Sequence, residues 1–451
     1  MKNNRLVVIG GDAAGMAAAS KVRRMQPDRE IVVFERTDYS SYSACGMPYL
    51  IAGLVEKADN LIVRSPERFR EKLSIDMQMQ HEVVAIDRDK QRVEVVDRNN
   101  GTSRYEPYDQ LLVATGARPF CPDIKGELAD GIFGLSTLAS GIKIQKFLTD
   151  NRPQKAVIVG GGYIGLEMAE ALVRQKLDVS LVQRGEQVME TLDPDMGKLV
   201  SEALEEIGVK LYRKEELRGF ETNEKQVTAV VTDRRTLPAD IVILGMGTRP
   251  NSGLAKDAGL ELTIKDAIKV DEQMNTSCDN IWAAGDCAAS RHRLTEEEVH
   301  ISLGTIANKQ GLVAGTNIGG GSAIFPGVIG TAVSKICSIE VARTGLQEKE
   351  LDRLGWKYVS ATIEAKTRAG YFPGAGPITV KLLAEKRSGR LFGGQIVGDC
   401  CSAKRIDTVA TALTAGMSVE DLIGLDLGYA PPFSPVWDPV QTAARALFKK
   451  I

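Results

Sequence analysis

The chain has 451 residues, 43% of them hydrophobic and 26% charged, with 44 glycines and a formal net charge of -2. This length suits two to four domains, each with its own core, and the composition excludes general disorder. The near-neutral balance offers no basic field for nucleic acid or an acidic membrane surface, and no run reaches the roughly 18 apolar residues of a membrane span. The N-terminus enters a strand without a signal-peptide pattern, so the expected setting is cytoplasmic and the expected partners are small molecules. Seven cysteines, at 45, 121, 278, 287, 337, 400 and 401, match neither a disulfide framework nor a zinc site, and no metal is expected. The adjacent Cys400 and Cys401 read as two reduced thiols near a core.

In chain order, Leu6-Val7-Val8-Ile9 is a buried strand that runs through Gly10, Gly11, Asp12, Ala13, Ala14 and Gly15 into an alanine-rich helix. A second strand, Ile31-Val32-Val33-Phe34, ends at Glu35, twenty residues past Gly15. In this βαβ context the glycines let backbone approach a pyrophosphate and the acid accepts hydrogen bonds from a ribose. The middle glycine of the fingerprint is replaced by Asp12, whose carboxylate must turn away from phosphate or meet a cation. Next comes Cys45, in Ser41-Tyr42-Ser43-Ala44-Cys45-Gly46-Met47-Pro48-Tyr49, at what reads as the start of a helix. Amide N–H groups and the helix dipole at such a position favour the thiolate.

The fingerprint returns at Val157-Ile158-Val159-Gly160-Gly161-Gly162-Tyr163-Ile164-Gly165 with all three glycines, followed by the strand Val179-Ser180-Leu181-Val182. Two such motifs in one chain point to two dinucleotides, and a flavin with a nicotinamide is the pairing that does chemistry. At the end of the second strand the acid is replaced by Gln183-Arg184, which removes repulsion toward a 2′-phosphate and so admits NADPH as well as NADH. The runs Tyr108–Pro119 and Ala239–Pro250 are alike, each a strand followed by small residues and Arg-Pro, and read as crossovers between the two nucleotide domains. Asp286, after the short strand Ile281-Trp282-Ala283, is placed to hold ribityl hydroxyls.

Over essentially its whole length the chain resembles the FAD-dependent pyridine nucleotide-disulfide oxidoreductases. Its Cys45 run and its tail Leu427-Gly428-Tyr429-Ala430-Pro431-Pro432-Phe433-Ser434-Pro435-Val436-Trp437 resemble the single-cysteine branch. That branch includes coenzyme A-disulfide reductases, CoA-persulfide reductases, NADH oxidases and NADH peroxidases. Dithiol members carry a second cysteine five residues on, where this chain has Leu50. They also use a C-terminal histidine, whereas His81, His292 and His300 are the only histidines here. The peroxidases and many of the oxidases of the branch place a histidine where this chain has Ala13.

The resemblance implies an α/β fold of two Rossmann-like domains plus a C-terminal α+β dimerisation domain. The expected bounds are 1–118 and 248–322 for FAD, 119–247 for NAD(P) and 323–451 for a homodimer interface. It also implies FAD contacts at Ala13, Ala14, Arg36, Ser43, Val83, Ala114, Thr115, Gly116, Arg118 and Ala307, beside Gly10, Asp12, Gly15, Glu35 and Asp286. NAD(P) contacts are implied at Tyr163, Ile164, Glu167 and Gly247, beside Gly160, Gly162, Gly165, Gln183 and Arg184. Tyr371 and Tyr429 match a tyrosine pair that would serve Cys45 of the other subunit as proton donors. Lys21, Arg24, Ser41 and Asn308 align with CoA-contacting positions, and Arg64, Arg68, Arg70 and Lys72 add further positive charge. The implied activity passes electrons from NAD(P)H through FAD and Cys45 to CoA disulfide or CoA persulfide or polysulfide. The alternatives are an NADH oxidase and, from another class, a non-catalytic flavin-binding redox sensor.

Overall fold

A computed structural model describes residues 4–451. Two Rossmann-like sheets and one antiparallel sheet carry the architecture, so the chain is α/β with a C-terminal α+β portion. By backbone contacts it divides into two compact units. One comprises the chain up to Phe120, with Gly134–Asn151 and Gly247–Val328; the other comprises Cys121–Phe133, Arg152–Met246 and Ile329–Ile451.

In the first unit, strands Ile281–Ala283, Gln110–Val113, Arg5–Ile9, Glu30–Glu35 and Asp76–Met79 lie in that order as a parallel sheet. The central strand is apolar from Leu6 to Ile9 because both its faces are covered there, as parallel sheets require. Helix Ala13–Met25 packs on helix Gly304–Ile318 through small residues. A Cβ on Gly311 would come 2.3 Å from the Ala14 carbonyl oxygen, and one on Gly315 would come 2.6 Å from that of Ala18. The two Arg-Pro crossovers pair with each other, Ala117–Pro119 against Thr248–Pro250, with Arg118 opposite Arg249. Helix Leu138–Asn151 belongs to this unit by contact, with Gly141 against Met47.

In the second unit the parallel core is Lys210–Arg213, Asp178–Gln183, Lys155–Val159 and Ile241–Leu244, bordered by Ile132–Gly134. The C-terminal sheet is antiparallel, in the order Ala332–Ile336, Ile339–Gly345, Leu391–Gly398, Pro377–Glu385, Tyr358–Lys366. Among the described residues no helix is long and apolar enough to cross a membrane.

Candidate active site

Both fingerprints are built alike. Gly10 and Gly160 adopt φ of 111° and 101°, open to glycine and strained for other residues. A Cβ on Gly15 would lie 2.0 Å from the Gly10 carbonyl oxygen, and one on Gly165 equally close to that of Gly160. Each helix therefore starts hard against its turn, with its amide N–H groups aimed outward where phosphate binds. The acid position closes each loop: Glu35 Oε2 accepts from Gly11 N at 2.9 Å, and Gln183 Oε1 accepts from Gly161 N at 2.8 Å. Gln183 thus keeps the structural bond of the acid while discarding its charge. Arg184 beside it is exposed.

The middle positions differ. A Cβ on Gly162 would meet nothing nearer than Gly245 O at 3.9 Å, so this loop leaves room for a ligand. Asp12 fills that place in the first loop, and its side chain makes no helix cap. Its Oδ1 accepts from Tyr42 N at 3.3 Å, and burial pushes its carboxyl up to about 6. The expected turn away from phosphate is therefore toward the segment that carries Cys45. Ser41 N donates to Gly11 O at 3.1 Å, so that segment is tied to the fingerprint at two points. Ser41 itself sits at a φ of 48°, and Ser43 N donates to Leu61 O.

Cys45 is exposed in a 3-10 turn, Ala44–Gly46, that leads into the five-residue helix Met47–Ile51. The expected helix start is thus only a short one, so its dipole adds little to the thiolate. Leu50, at the position of the missing second thiol, is fully buried.

Around the first fingerprint, Ala114 N donates to Ile9 O, and Thr115 Oγ1 donates to Asn251 O at 2.7 Å. Arg118 donates to Pro250 O and Asn251 Oδ1, Arg36 faces Glu82 at 3.7 Å, and Val83 is buried. Gly285, at a φ of 83°, lies where a Cβ would come 2.9 Å from Ala14 Cβ and 3.6 Å from Ala307 Cβ. That places Asp286 beside the first fingerprint helix and helix Gly304–Ile318. Burial alone pushes its carboxyl up to about 6. A largely desolvated carboxylate in this setting gains by accepting hydroxyl donors, so these residues fit the ribityl chain of FAD. Sequence reasoning missed Gln310, fully buried, whose Oε1 accepts from Gly285 N and whose Nε2 donates to Ala289 O. Its one signal is an amide directly before the small and apolar run Gly311–Gly315.

Of the candidate anion contacts, Lys21 and Arg24 lie at the end of helix Ala13–Met25. Asn308, one turn into helix Gly304–Ile318, lies N-terminal to Gly311, which itself packs on Ala14. These residues are spread along the helix pair by on the order of 15 Å, a span suited to an elongated ligand. Arg64 stacks on Phe69, and Arg70 donates to Met77 O. Arg68 and Lys72 are left exposed.

In the second unit, Glu167 Oε1 accepts from Ser334 Oγ at 2.7 Å, and burial holds its carboxyl above the usual carboxylate range. Tyr163, raised by burial, faces Thr191 Oγ1 at 3.5 Å, and Ile164 is half-buried beside it. Gly247 opens the segment Gly247–Val328 of the first unit, with a φ of 91°. Tyr371 and Tyr429, 58 positions apart (429 − 371), are brought together: they are 77% and 48% exposed, with the Tyr371 phenol close enough to act on that of Tyr429. Partial desolvation and then the Tyr371 phenol raise Tyr429 above its ordinary value, so it stays a proton donor at neutral pH.

Arg405 sets this pair, although sequence reasoning passed it over. Its guanidinium donates to Thr367 O and Phe433 O, both at 2.7 Å, and to Asp438 Oδ2 at 2.9 Å. Ala369 N also donates to Pro431 O, so the two tyrosine segments are laced together. Cys400 and Cys401 are exposed, not near a core, because they occupy the turn after strand Leu391–Gly398. Among the described residues no cluster of metal-ligating side chains occurs.

The family model of the pyridine nucleotide-disulphide oxidoreductases matches residues 4–311, and that of their dimerisation domain matches residues 331–439. The chain belongs to this family. It is 40% identical over 444 residues to the NAD(P)H coenzyme A polysulfide/persulfide reductase of Pyrococcus horikoshii, covering 98% of each chain. It is 38% identical to an NADH oxidase of Methanocaldococcus jannaschii, covering 99% of each. The solved structure of an NAD-dependent persulfide reductase from A. fulgidus superposes with a TM-score of 0.96 at 40% identity, over 99% of this chain and 83% of that one.

Proposed function

We propose that this protein is an NAD(P)H-dependent flavoprotein reductase that cleaves CoA disulfide, or the sulfur–sulfur bond of CoA persulfide or polysulfide, at Cys45. The observation that carries the proposal is the exposed Cys45 on a segment pinned to the first fingerprint by Ser41 and Tyr42, with buried Leu50 where a resolving thiol would stand. FAD would be held by the first fingerprint, Glu35, the Ala114–Gly116 turn, Arg118 and Asp286, and NAD(P)H by the second fingerprint, Gln183, Arg184 and Glu167. When bound, FAD supplies the two-electron relay between nicotinamide and sulfur.

Cys45 Sγ attacks one sulfur of the substrate, the S–S bond breaks, and the leaving thiolate takes a proton from the Tyr371–Tyr429 pair of the other subunit. Two electrons, originating in NAD(P)H, then split the mixed Cys45–CoA disulfide and release the second thiol. Lys21 and Arg24 would hold CoA phosphates, with Ser41 and Asn308 along the same ligand. The domain bounds 1–118 with 248–322, 119–247 and 323–451, the homodimer and a cytoplasmic setting belong to this reading.

Cys45→Ser tests it: the variant should release no CoA thiol from CoA disulfide and NAD(P)H, and unreduced native protein should carry a thiol-reducible CoA adduct at Cys45. CoA release by the serine variant would refute it. A second reading, an oxidase, is favoured by the M. jannaschii relative. It predicts NAD(P)H consumption in air without CoA release, with Cys45 passing through a sulfenic acid.

A further inference from the structure

The turn that follows strand Leu391–Gly398 presents two thiols side by side. Cys400 and Cys401 are both exposed, and their sulfurs lie 3.5 Å apart. Cys401 is held at a φ of 74°, a left-handed backbone that costs a non-glycine residue energy and clusters at functional positions. Glu340 holds the turn from the other side, accepting from Cys401 N at 3.1 Å and Ala403 N at 2.9 Å.

Two arginines reach the turn. Arg368 Nη2 points at Cys401 Sγ from 3.9 Å, and its buried Nε finds no hydrogen-bond partner among the described residues. Arg405 donates from Nη1 to the Cys401 carbonyl, while its other nitrogens hold Thr367, Phe433 and Asp438. The thiol pair therefore shares its anchors with the segments that carry Tyr371 and Tyr429. The Arg368 guanidinium faces the Cys401 sulfur rather than that of Cys400, which singles out Cys401 as the attacking member of the pair.

We propose that Cys400 and Cys401 form a second thiol–disulfide exchange site, which takes oxidising equivalents from small disulfides and, when closed, loosens the setting of the tyrosine pair. The inference rests on the proposed function only for the identity of the oxidant, a CoA-type disulfide. Cys401 Sγ attacks one oxidant sulfur, the oxidant's S–S bond breaks, and one thiol leaves with a proton. Cys400 Sγ then displaces the second thiol and the Cys400–Cys401 bond closes. Two electrons and two thiol hydrogens pass from the protein to the oxidant, which ends as two thiols.

Closure must bring the sulfurs from 3.5 Å to a bonded separation of about 2.0 Å. Joining neighbouring residues in this way forces the intervening peptide to turn. That displaces the Cys401 carbonyl from Arg405 and its sulfur from Arg368. Both arginines then reset, and the tyrosine segments lose a common anchor. An exposed, strained disulfide of this kind is readily reduced again.

The test uses pre-reduced holoenzyme exposed to CoA disulfide without NAD(P)H, then alkylated and digested. The peptide Leu391–Lys404 should escape alkylation and weigh two hydrogens less than the free dithiol peptide. Turnover, assayed after transfer to NAD(P)H, should fall by up to about a hundredfold, the cost of a misplaced catalytic group. Dithiothreitol should restore both. The variant Cys400→Ser/Cys401→Ser should keep the full reduced rate and lose the inhibition. A peptide alkylated on both thiols, a link between chains, or closure with no change in rate would each overturn the proposal. Since the bond is read by mass, loss of the Cys45 reading leaves this result standing, and an inert pair leaves the Cys45 reading standing.

Discussion

Lys381→Met should cost the second unit several kilocalories of stability. The Lys381 side chain is 4% exposed, and its ammonium lies 3.1 Å from Asp193, 2.9 Å from Asp195 and 3.0 Å from Glu348. Asp195 and Glu348 are 45% and 29% exposed, so water can replace the lysine there. Asp193 is 1% exposed and is left with only Glu348 N and the Gln395 amide. Stranding one buried charge costs about 3–5 kcal/mol. Burial already holds the Asp193 carboxyl above its ordinary value against the pull of Lys381, so removing the lysine raises it further.

The folded variant then takes up a proton that the unfolded chain releases above about pH 4, and its stability falls as pH rises, by up to about 1.4 kcal/mol per unit, until the folded pKa is passed. Urea unfolding followed through Trp356, which packs on Phe392 in this unit, should therefore show a deficit larger at pH 8 than at pH 5. Asp193→Asn should recover at least about 1 kcal/mol in the lysine variant. A midpoint unchanged by Lys381→Met, or a deficit that does not depend on pH or on Asp193, would refute the reasoning.

The tyrosine pair should behave as one donor: Tyr371→Phe and Tyr429→Phe should each lower kcat, and the double variant should be little worse than the poorer single, about a hundredfold down. Independent, multiplying losses would separate the two hydroxyls. Asp286 is raised to about 6, so its ionisation removes stability from the flavin-free protein as pH climbs from about 4 through about 6. Flavin-free Asp286→Asn should consequently gain about 3 kcal/mol over the native chain at pH 8 and little at pH 4, while holding FAD less tightly; equal melting at pH 8 would contradict it. Gln183→Glu restores the acid while keeping the bond to Gly161 N. Its ratio of kcat/KM for NADPH over NADH should fall about tenfold, or about 1.4 kcal/mol, and an unchanged ratio would remove the 2′-phosphate argument.

The two nucleotide folds are legible in the sequence because a phosphate-binding turn is local. Strand, glycines and helix follow within about ten residues, Gly10 is required by its own φ of 111°, and Gly15 by the Gly10 carbonyl within that span. The exchange of Glu35 for Gln183 is legible for the same reason, since each closes a loop only 22 to 24 residues away. Cys45, with Leu50 five positions on, is a local pattern too.

What only the tertiary structure decides are the pairings of distant residues. The direction of Asp12 depends on where the Tyr42 segment returns, and the anchoring of Gly285 depends on Gln310 arriving on another helix. Likewise, Arg405 gathers segments from 367 to 438, and Lys381 meets carboxylates more than 180 residues away. Each such side chain looks like an ordinary surface charge or amide until the strand order sets its neighbours. Burial then makes it matter, because a desolvated polar group must find a partner wherever the fold supplies one.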